Sequence, residues 1–423
     1  MSPHYLDHAA TAPVRDCAVE AWLRATRDLQ AAPGNPSALH AGGRAARRLL
    51  EDARERIGAA LGAERAEVVL TSGATESDAL AVAGGARGMR ARDPRRTRIV
   101  VSALEHDAVG AQRGALEREG FAWEVLPVAP SGVLRLDEGV LEALAPESAV
   151  VSLALVTSEL GTIQPVAEAA GALAAATGAE LPVPADGGPA RPLVHTDAAQ
   201  AVGVLAVDFH ALGVDLLSVG GHKIGAPAGV GALLARRGVP LLTDRPGGGQ
   251  ERDLRSGTQD AAGAVALAAA LEEAVGERGA LRARLVSLRA RLLEGLPPGA
   301  RPTLPADTPT SPALVHLSLD TAHPEAVLLA MDLAGVLVSA GSACHAGVTR
   351  PSEAMLALGR TEEQALGSLR VSMGAATREA DVDAFLAALP QALRAGQVLD
   401  GRDHAGRPRP GWAAPAAQEG GRA

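Results

Sequence analysis

The chain has 423 residues, 47% of them hydrophobic and 21% charged, which is enough for two domains with their own cores and excludes a disordered chain. Its net charge of −9 argues against a surface built to bind nucleic-acid phosphates, and the lack of a charge-free apolar run of about 18 residues argues against a membrane span. Two cysteines, Cys17 and Cys344, cannot build a disulfide framework or a four-thiolate metal site. No metal is expected, and the start MSPHYLDHAA, without a basic and then apolar leader, points to the cytoplasm.

In chain order, the segment VRDCAVEAWLRATRDL places Val14, Cys17, Ala18, Ala21, Trp22 and Ala25 on one helical face, so Cys17 reads as core packing. Between residues 65 and 240, β-rich runs at 68–70, 99–101, 123–128, 150–156, 194–196, 216–219 and 231–234 alternate with helix-length segments such as 107–119 and 165–177. That alternation predicts an α/β fold with a large, mostly parallel sheet, whose ligands gather at the carboxyl ends of the strands. The Pro/Gly-rich stretch 178–193 reads as an inserted surface loop. From 261 to about 296 the composition favours one long or broken helix. A smaller α+β unit follows, with strands at 313–319, 336–340 and 368–373 and helices at 324–334 and 380–395. The expected organisation is an N-terminal segment 1–14 packing with the small domain, a large domain 15–260, a small domain 261–400 and a disordered tail 401–423.

One count stands out. Of the 40 basic residues, 39 are Arg and Lys223 is the single Lys. Arg holds its charge and is no nucleophile, whereas a Lys with a depressed pKa can form a Schiff base. Lys223 follows the apolar run ending in Ser218-Val219-Gly220-Gly221-His222, which puts its amine at a strand's carboxyl end. Asp197, just past another strand, could salt-bridge a protonated ring nitrogen, as proteins do for pyridoxal phosphate; alone it reads equally as a helix N-cap. The turn Thr71 to Ser77, with Ala74 and Thr75, offers hydroxyls and amides to a phosphate, although an ordinary capped helix start has the same composition. His106 ends a strand and could stack on a planar cofactor or simply pack. Cys344 lies among small residues in a loop, suited to an exposed reactive thiol or to an idle one. Arg370 could clamp a carboxylate.

Read together, these residues resemble the cysteine desulfurases, pyridoxal-phosphate enzymes of aminotransferase class V with the fold type I architecture. The matching motifs are Tyr5 to Thr11, Gly34-Asn35-Pro36-Ser37, Thr71 to Asp78, Glu105-His106, His195 to Gln200, Gly221-His222-Lys223, Gly247 to Glu251, Arg255 to Thr258, Ser339 to Cys344 and Arg370-Val371-Ser372, in family order over residues 5–372. Gly341-Ser342-Ala343-Cys344 looks like the subgroup with the longer cysteine loop.

The resemblance implies that Lys223 holds the cofactor, Asp197 pairs with its ring nitrogen, Gln200 touches the ring hydroxyl and His106 stacks on the ring. Ala74, Thr75 and His222 would take the phosphate, with Thr258 reaching in from the neighbouring subunit of a homodimer. Asn35 and Arg370 would hold the carboxylate of L-cysteine. Cys344 would take its sulfur as a persulfide for a protein acceptor, such as an iron–sulfur scaffold, a sulfur carrier or a tRNA-thiolating enzyme. Two positions depart from the family: Thr157 and Ser158 replace paired Asn, and Gly220 replaces a Ser of the phosphate site, which bears on cofactor and substrate binding. Alternatives are a selenocysteine lyase or other class V transferase or lyase, and a non-catalytic regulatory or binding protein on the same fold.

Overall fold

The computed structural model describes residues 3–136, 139–178, 191–341 and 350–401. Cys344, most of the 178–193 stretch and the tail beyond 401 lie outside them. The chain opens with β1 (His4–Tyr5), α1 (Asp16–Ala31) and α2 (Ala41–Leu61). It continues through β2 (Val68–Thr71), α3 (Ala74–Ala79), which runs through a π turn into α4 (Gly85–Arg92), and β3 (Arg98–Ser102). The segment expected as one helix over 107–119 is two short ones, α5 (Asp107–Gly110) and α6 (Arg113–Arg118). Next come β4 (Ala122–Leu126), α7 (Val140–Leu144), β5 (Ser148–Ser152), α8 (Val166–Thr177), β6 (Leu193–Asp197), β7 (Leu216–Gly220) and β8 (Gly231–Ala235). Strands β2 to β8 form one seven-stranded sheet in the order β2-β8-β7-β6-β5-β3-β4. Its pairs from β7 to β4 are parallel, whereas β8 runs antiparallel to both neighbours. Helices cover both faces, so β5, β6 and β7 are buried along their whole length; β5 and β7 read as largely apolar runs, whereas β6 carries His195, Thr196 and Asp197 into the interior.

The long helix α9 (Ala261–Glu294) is a single element with two sequence textures. Its Ala-rich first half, from Ala261 to Leu271, is buried in the core beneath the large sheet. In its second half Leu281, Leu285, Leu288 and Leu292 recur on one face and enter a second core. That core is completed by β9 (Ala300–Pro302), β10 (Leu314–Leu319), α10 (Pro324–Leu333), β11 (Val336–Leu337), β12 (Ser368–Ser372) and α13 (Glu379–Leu399), while α11 (Glu353–Ala357) and α12 (Glu362–Leu366) pack with Leu104, Val128 and Leu160 in a smaller cluster. The strand expected over 336–340 is two residues long; beyond it Ser339 and Arg370 exchange backbone hydrogen bonds at 2.8 and 3.3 Å.

The N-terminal segment stitches the two cores together. β1 pairs with β11, Ser372 N donates to Leu6 O at 2.8 Å, and Ala12 N donates to His222 O at 2.9 Å. The expected apolar face of α1 is corrected: Ala18 and Ala25 are buried, but Val14 is 46% and Trp22 40% exposed. Val14 precedes the helix, and the side packed on α9 is too crowded for large side chains, so alanines occupy it. Cys17 is half-buried against that core, its Sγ 3.6 Å from Ala269 O, and its thiol is pushed up to about 11, chiefly by burial.

Candidate active site

Two neighbouring parallel strands, β6 and β7, end side by side, and the residues at and just past their ends make the floor of a site. Asp197 closes β6, its Oδ1 accepting from Ala199 N at 2.8 Å. One strand away, Lys223 follows β7 through a single tight turn. Its Nζ donates to Ala9 O at 2.6 Å and Ala10 O at 2.9 Å, both on the N-terminal segment, and Gln200 Nε2 donates to the same Ala9 O at 2.9 Å. The amine therefore meets neutral carbonyls within hydrogen-bonding distance. Burial, aided by the charge of Arg370, lowers its pKa to about 8 against the pull of Asp197 and Asp7.

Behind this floor lies a buried polar network that the sequence analysis did not single out. His195 is fully buried on β6, with Nδ1 2.8 Å from Ser152 Oγ and Nε2 2.9 Å from Ser218 Oγ. Desolvation lowers its pKa to about 3, so the ring is neutral. Asp78, 0% exposed, places Oδ1 3.5 Å from His195 Nε2, and neither of its carboxyl oxygens has a hydrogen-bond partner. Burial, then the nearby Asp197 charge, raises its pKa well above the carboxylate range. Glu105 accepts from Ala154 N at 2.8 Å with its other oxygen sealed from solvent, and desolvation pushes it up to about 8. Burial raises Asp197 as well, but His106 and Lys223 favour its anion.

The turn between β2 and α3 closes one side. Gly73 has φ +151°, closed to side chains, and presses on β8, where a Cβ on Gly231 would stand 2.5 Å from Gly73 Cα. Ala74 abuts Gly220: a Cβ at that position would meet Ala74 Cβ at 3.3 Å, which is why a hydroxyl side chain is crowded there. Thr75 is exposed and His222 half-buried, with its Nδ1 3.2 Å from Thr11 Oγ1. His106 caps α5 by accepting from Ala108 N at 3.0 Å and leaves its ring on the surface of the cavity.

The opposite wall comes from far along the chain. Arg370 on β12 donates from Nη1 to Ser158 O at 3.0 Å and pairs through Nη2 with Asp7 Oδ1 at 3.1 Å. Its Nε is buried and has no partner. Thr157 does not face outward as an amide would; its buried hydroxyl lies 2.9 Å from Thr162 Oγ1 and accepts from Thr162 N at 3.1 Å, bracing the turn that offers the Ser158 carbonyl. A cavity of about 560 Å³ is lined by Ala9, Glu105, His106, Thr157, Ser158, Lys223, Ser339 and Arg370, among others. The fold brings Lys223, His106 and Arg370 to this cavity; Gln200 shares the Ala9 carbonyl with Lys223, and Ala74 lies against Gly220 just before it.

It does not bring Asn35 or Thr258 to that cavity. Both are exposed; Asn35 Oδ1 accepts from Ser37 N at 2.9 Å. Thr258 lies on a segment tied back to the β2–α3 turn through Glu76, which pairs with Arg245 at 2.6 Å and Arg255 at 3.1 Å, and through buried Glu251, which pairs with Arg54. Asp7, Asp78 and Glu159 are the residues whose part sequence reasoning missed. Asp78 could have been suspected as an acid inside an apolar helical run, and Asp7 as an acid in the first turn; nothing local marks their partners.

The donor set fits pyridoxal phosphate: a buried amine of depressed pKa, an acid one strand away, an amide side chain beside them, and small or hydroxyl residues with an imidazole at a glycine-bounded turn. The unpartnered Nε of Arg370 fits a substrate carboxylate.

The aminotransferase class-V model matches residues 4–385. An IscS-like cysteine desulfurase of Mycobacterium tuberculosis is 43% identical over 395 residues, covering 92% of this chain and 96% of that protein. Among solved structures, a NifS-like protein superposes with a TM-score of 0.81 at 30% identity, covering 93% of this chain and 99% of the other. One described as SspA in complex with cysteine gives 0.72 at 28% identity, with coverage of 88% and 98%.

Proposed function

The chain belongs to the aminotransferase class-V family and, within it, to the pyridoxal-phosphate-dependent cysteine desulfurases, and from that premise we propose how its residues divide the work of converting L-cysteine to L-alanine. The observation that carries the reading is the sole lysine, half-buried, held by two carbonyls and one strand from a buried Asp197. Bound at Lys223, the cofactor supplies an electron sink for the charge that develops at the substrate Cα. With the cofactor bound, Asp197 would hold a proton on the ring nitrogen, Gln200 would meet the ring hydroxyl, His106 would stack on the ring, and Ala74, Thr75 and His222 would take the phosphate. Arg370 would hold the substrate carboxylate through its unpartnered Nε, and the Lys223 amine would remove the Cα proton.

Cys344, as thiolate, then attacks the substrate sulfur. The new S–S bond forms as the substrate's Cβ–S bond breaks, the electron pair stays with Cβ, and a proton on Cβ and the return of one to Cα complete alanine. The substrate carbon is reduced as the enzyme thiol becomes a persulfide, so no outside oxidant is required. A protein acceptor, such as an iron–sulfur scaffold, a sulfur carrier or a tRNA-thiolating enzyme, would receive that sulfur. A cytoplasmic homodimer, with Thr258 serving the neighbouring subunit and Asn35 the substrate carboxylate, belongs to the same proposal. So does the division into residues 1–14, 15–260 and 261–400, which the two cores support, with α9 crossing between them. Among the described residues no helix is long and apolar enough to cross a membrane.

Borohydride reduction of the cofactor-loaded protein tests the reading. The cofactor mass should become fixed on Lys223, and an unmodified Lys223 would overturn the assignment. Comparing alanine release from cysteine and selenocysteine separates the selenocysteine-lyase alternative.

A further inference from the structure

Beside the Arg370 wall, the turn from Thr157 to Thr162 carries a second polar cluster. Glu159 accepts a hydrogen bond from the hydroxyl of Ser352, which is fully buried and also caps α11 by accepting from Met355 N at 3.0 Å. His316, on β10, has Nδ1 2.8 Å from Thr303 Oγ1 and Nε2 3.3 Å from Glu159 Oε1. Neither His316 Nε2 nor the buried Ser368 Oγ has a hydrogen-bond partner. All of these atoms converge on one backbone position. A Cβ added at Gly341 would stand 2.5 Å from His316 Nε2 and 2.7 Å from both Glu159 Oε1 and Ser368 Oγ.

Gly341 and Ser352 are not arbitrary places in the chain. Residues 342–349, which carry Cys344 and lie outside the described residues, leave the described fold at Gly341 and rejoin it two residues before Ser352. Cys344 is three residues from Gly341, a reach of at most about 10 Å of extended chain, so the position of that end bounds where the thiol can go. The neighbour of Glu159, Ser158, holds Arg370 through its carbonyl. One braced turn therefore meets the carboxylate-binding guanidinium on one side and both ends of the thiol-bearing segment on the other.

We propose that Glu159 is a positioning residue for sulfur transfer, gathering Ser352 and His316 around Gly341 so that the segment bearing Cys344 starts and finishes in fixed register with Arg370. The proposal rests on the reading that Cys344 receives the substrate sulfur. It adds a residue that lines the same cavity as Lys223 and Arg370 and acts through the backbone it holds. Buried polar groups left without partners are costly, so a cluster closed around a glycine should tolerate neither the loss of its carboxylate nor an added methyl group.

The test uses the full-length, cofactor-loaded protein as wild type, Glu159→Ala, Glu159→Gln and Gly341→Ala, mixed with L-cysteine for a single turnover. Mass spectrometry follows the sulfur added to Cys344. Glu159→Ala should slow its arrival at least tenfold with cofactor absorbance and KM for cysteine unchanged, and should speed amide hydrogen exchange at residues 340–341 and 352–355 in the cofactor-free protein. Glu159→Gln, which keeps an acceptor for Ser352, should recover most of the rate. Gly341→Ala should reproduce the slowing, and the double variant should be little worse than the slower single one. Wild-type rates in Glu159→Ala or Gly341→Ala would overturn the proposal, as would a raised KM together with lost absorbance and rate in both. If no sulfur reaches Cys344 even in wild type, the thiol assignment fails instead; sulfur arriving equally fast in every variant leaves that assignment standing and removes Glu159.

Discussion

The floor of the site and its Arg370 wall hold charge in opposite ways. Behind the floor, burial decides the protonation of Asp78, Glu105 and His195: two acids are pushed towards neutrality and the imidazole loses its proton. On the wall, Arg370, Asp7 and Glu159 come from distant segments, and pairing with charges, carbonyls and hydroxyls fixes them in place. The difference teaches that floor substitutions should act through proton affinity and wall substitutions through position, with substrate affinity changed where Arg370 itself is removed.

The largest expected effect removes the group that both regions serve. Lys223→Arg keeps the charge but cannot form a Schiff base, so alanine formation should fall by about 10³-fold or more, and the visible absorbance of the bound cofactor should vanish. A yellow, active variant would break the account. Asp197→Asn should come next, lowering kcat by about 10²-fold through loss of charge at the floor, with KM for cysteine changing far less. At the wall the pattern should reverse: Arg370→Ala should raise KM by roughly 10- to 100-fold, the worth of a charged hydrogen bond, with a smaller loss in kcat.

A titration sharpens the comparison. Because the chain has one lysine, acylation of Lys223 in the cofactor-free protein can be followed by mass, and its rate should rise with a midpoint near pH 8. Arg370 helps to lower that pKa, so Arg370→Ala should move the midpoint upward; an unmoved midpoint would leave burial as the whole cause. The smallest effect is on stability. Glu105 holds its proton more tightly folded than unfolded, so its contribution is complete below about pH 4.5 and is lost as pH rises through about 8. Glu105→Gln keeps an acceptor for the Ala154 amide. It should match wild type in thermal midpoint at pH 4.5 and exceed it by about 2 °C or more at pH 8; equal midpoints at both would contradict a buried, protonated Glu105.

The same contrast explains what could be read before any coordinates. The end of β7 is legible because burial on both faces writes an apolar run over 216–219, and because Lys223 is unique among 40 basic residues. The helix α2 went unremarked, since its buried face is mostly small, with Ala46, Leu50, Ala53 and Ile57 between arginines. The wall was legible only as isolated motifs. Asp7 and Arg370 are 363 residues apart, and Glu159 and Ser352 are 193 apart, and no periodicity records such pairings. The face of α1 was misread because helical spacing marks which residues share a side, not which side meets the core.

The most direct measurement is the mass of Cys344 after the cofactor-loaded protein meets L-cysteine in one turnover. The account predicts one added sulfur on that residue, with one alanine released for each. Alanine released with Cys344 unmodified, and with sulfide released equally by Cys344→Ser, would contradict it.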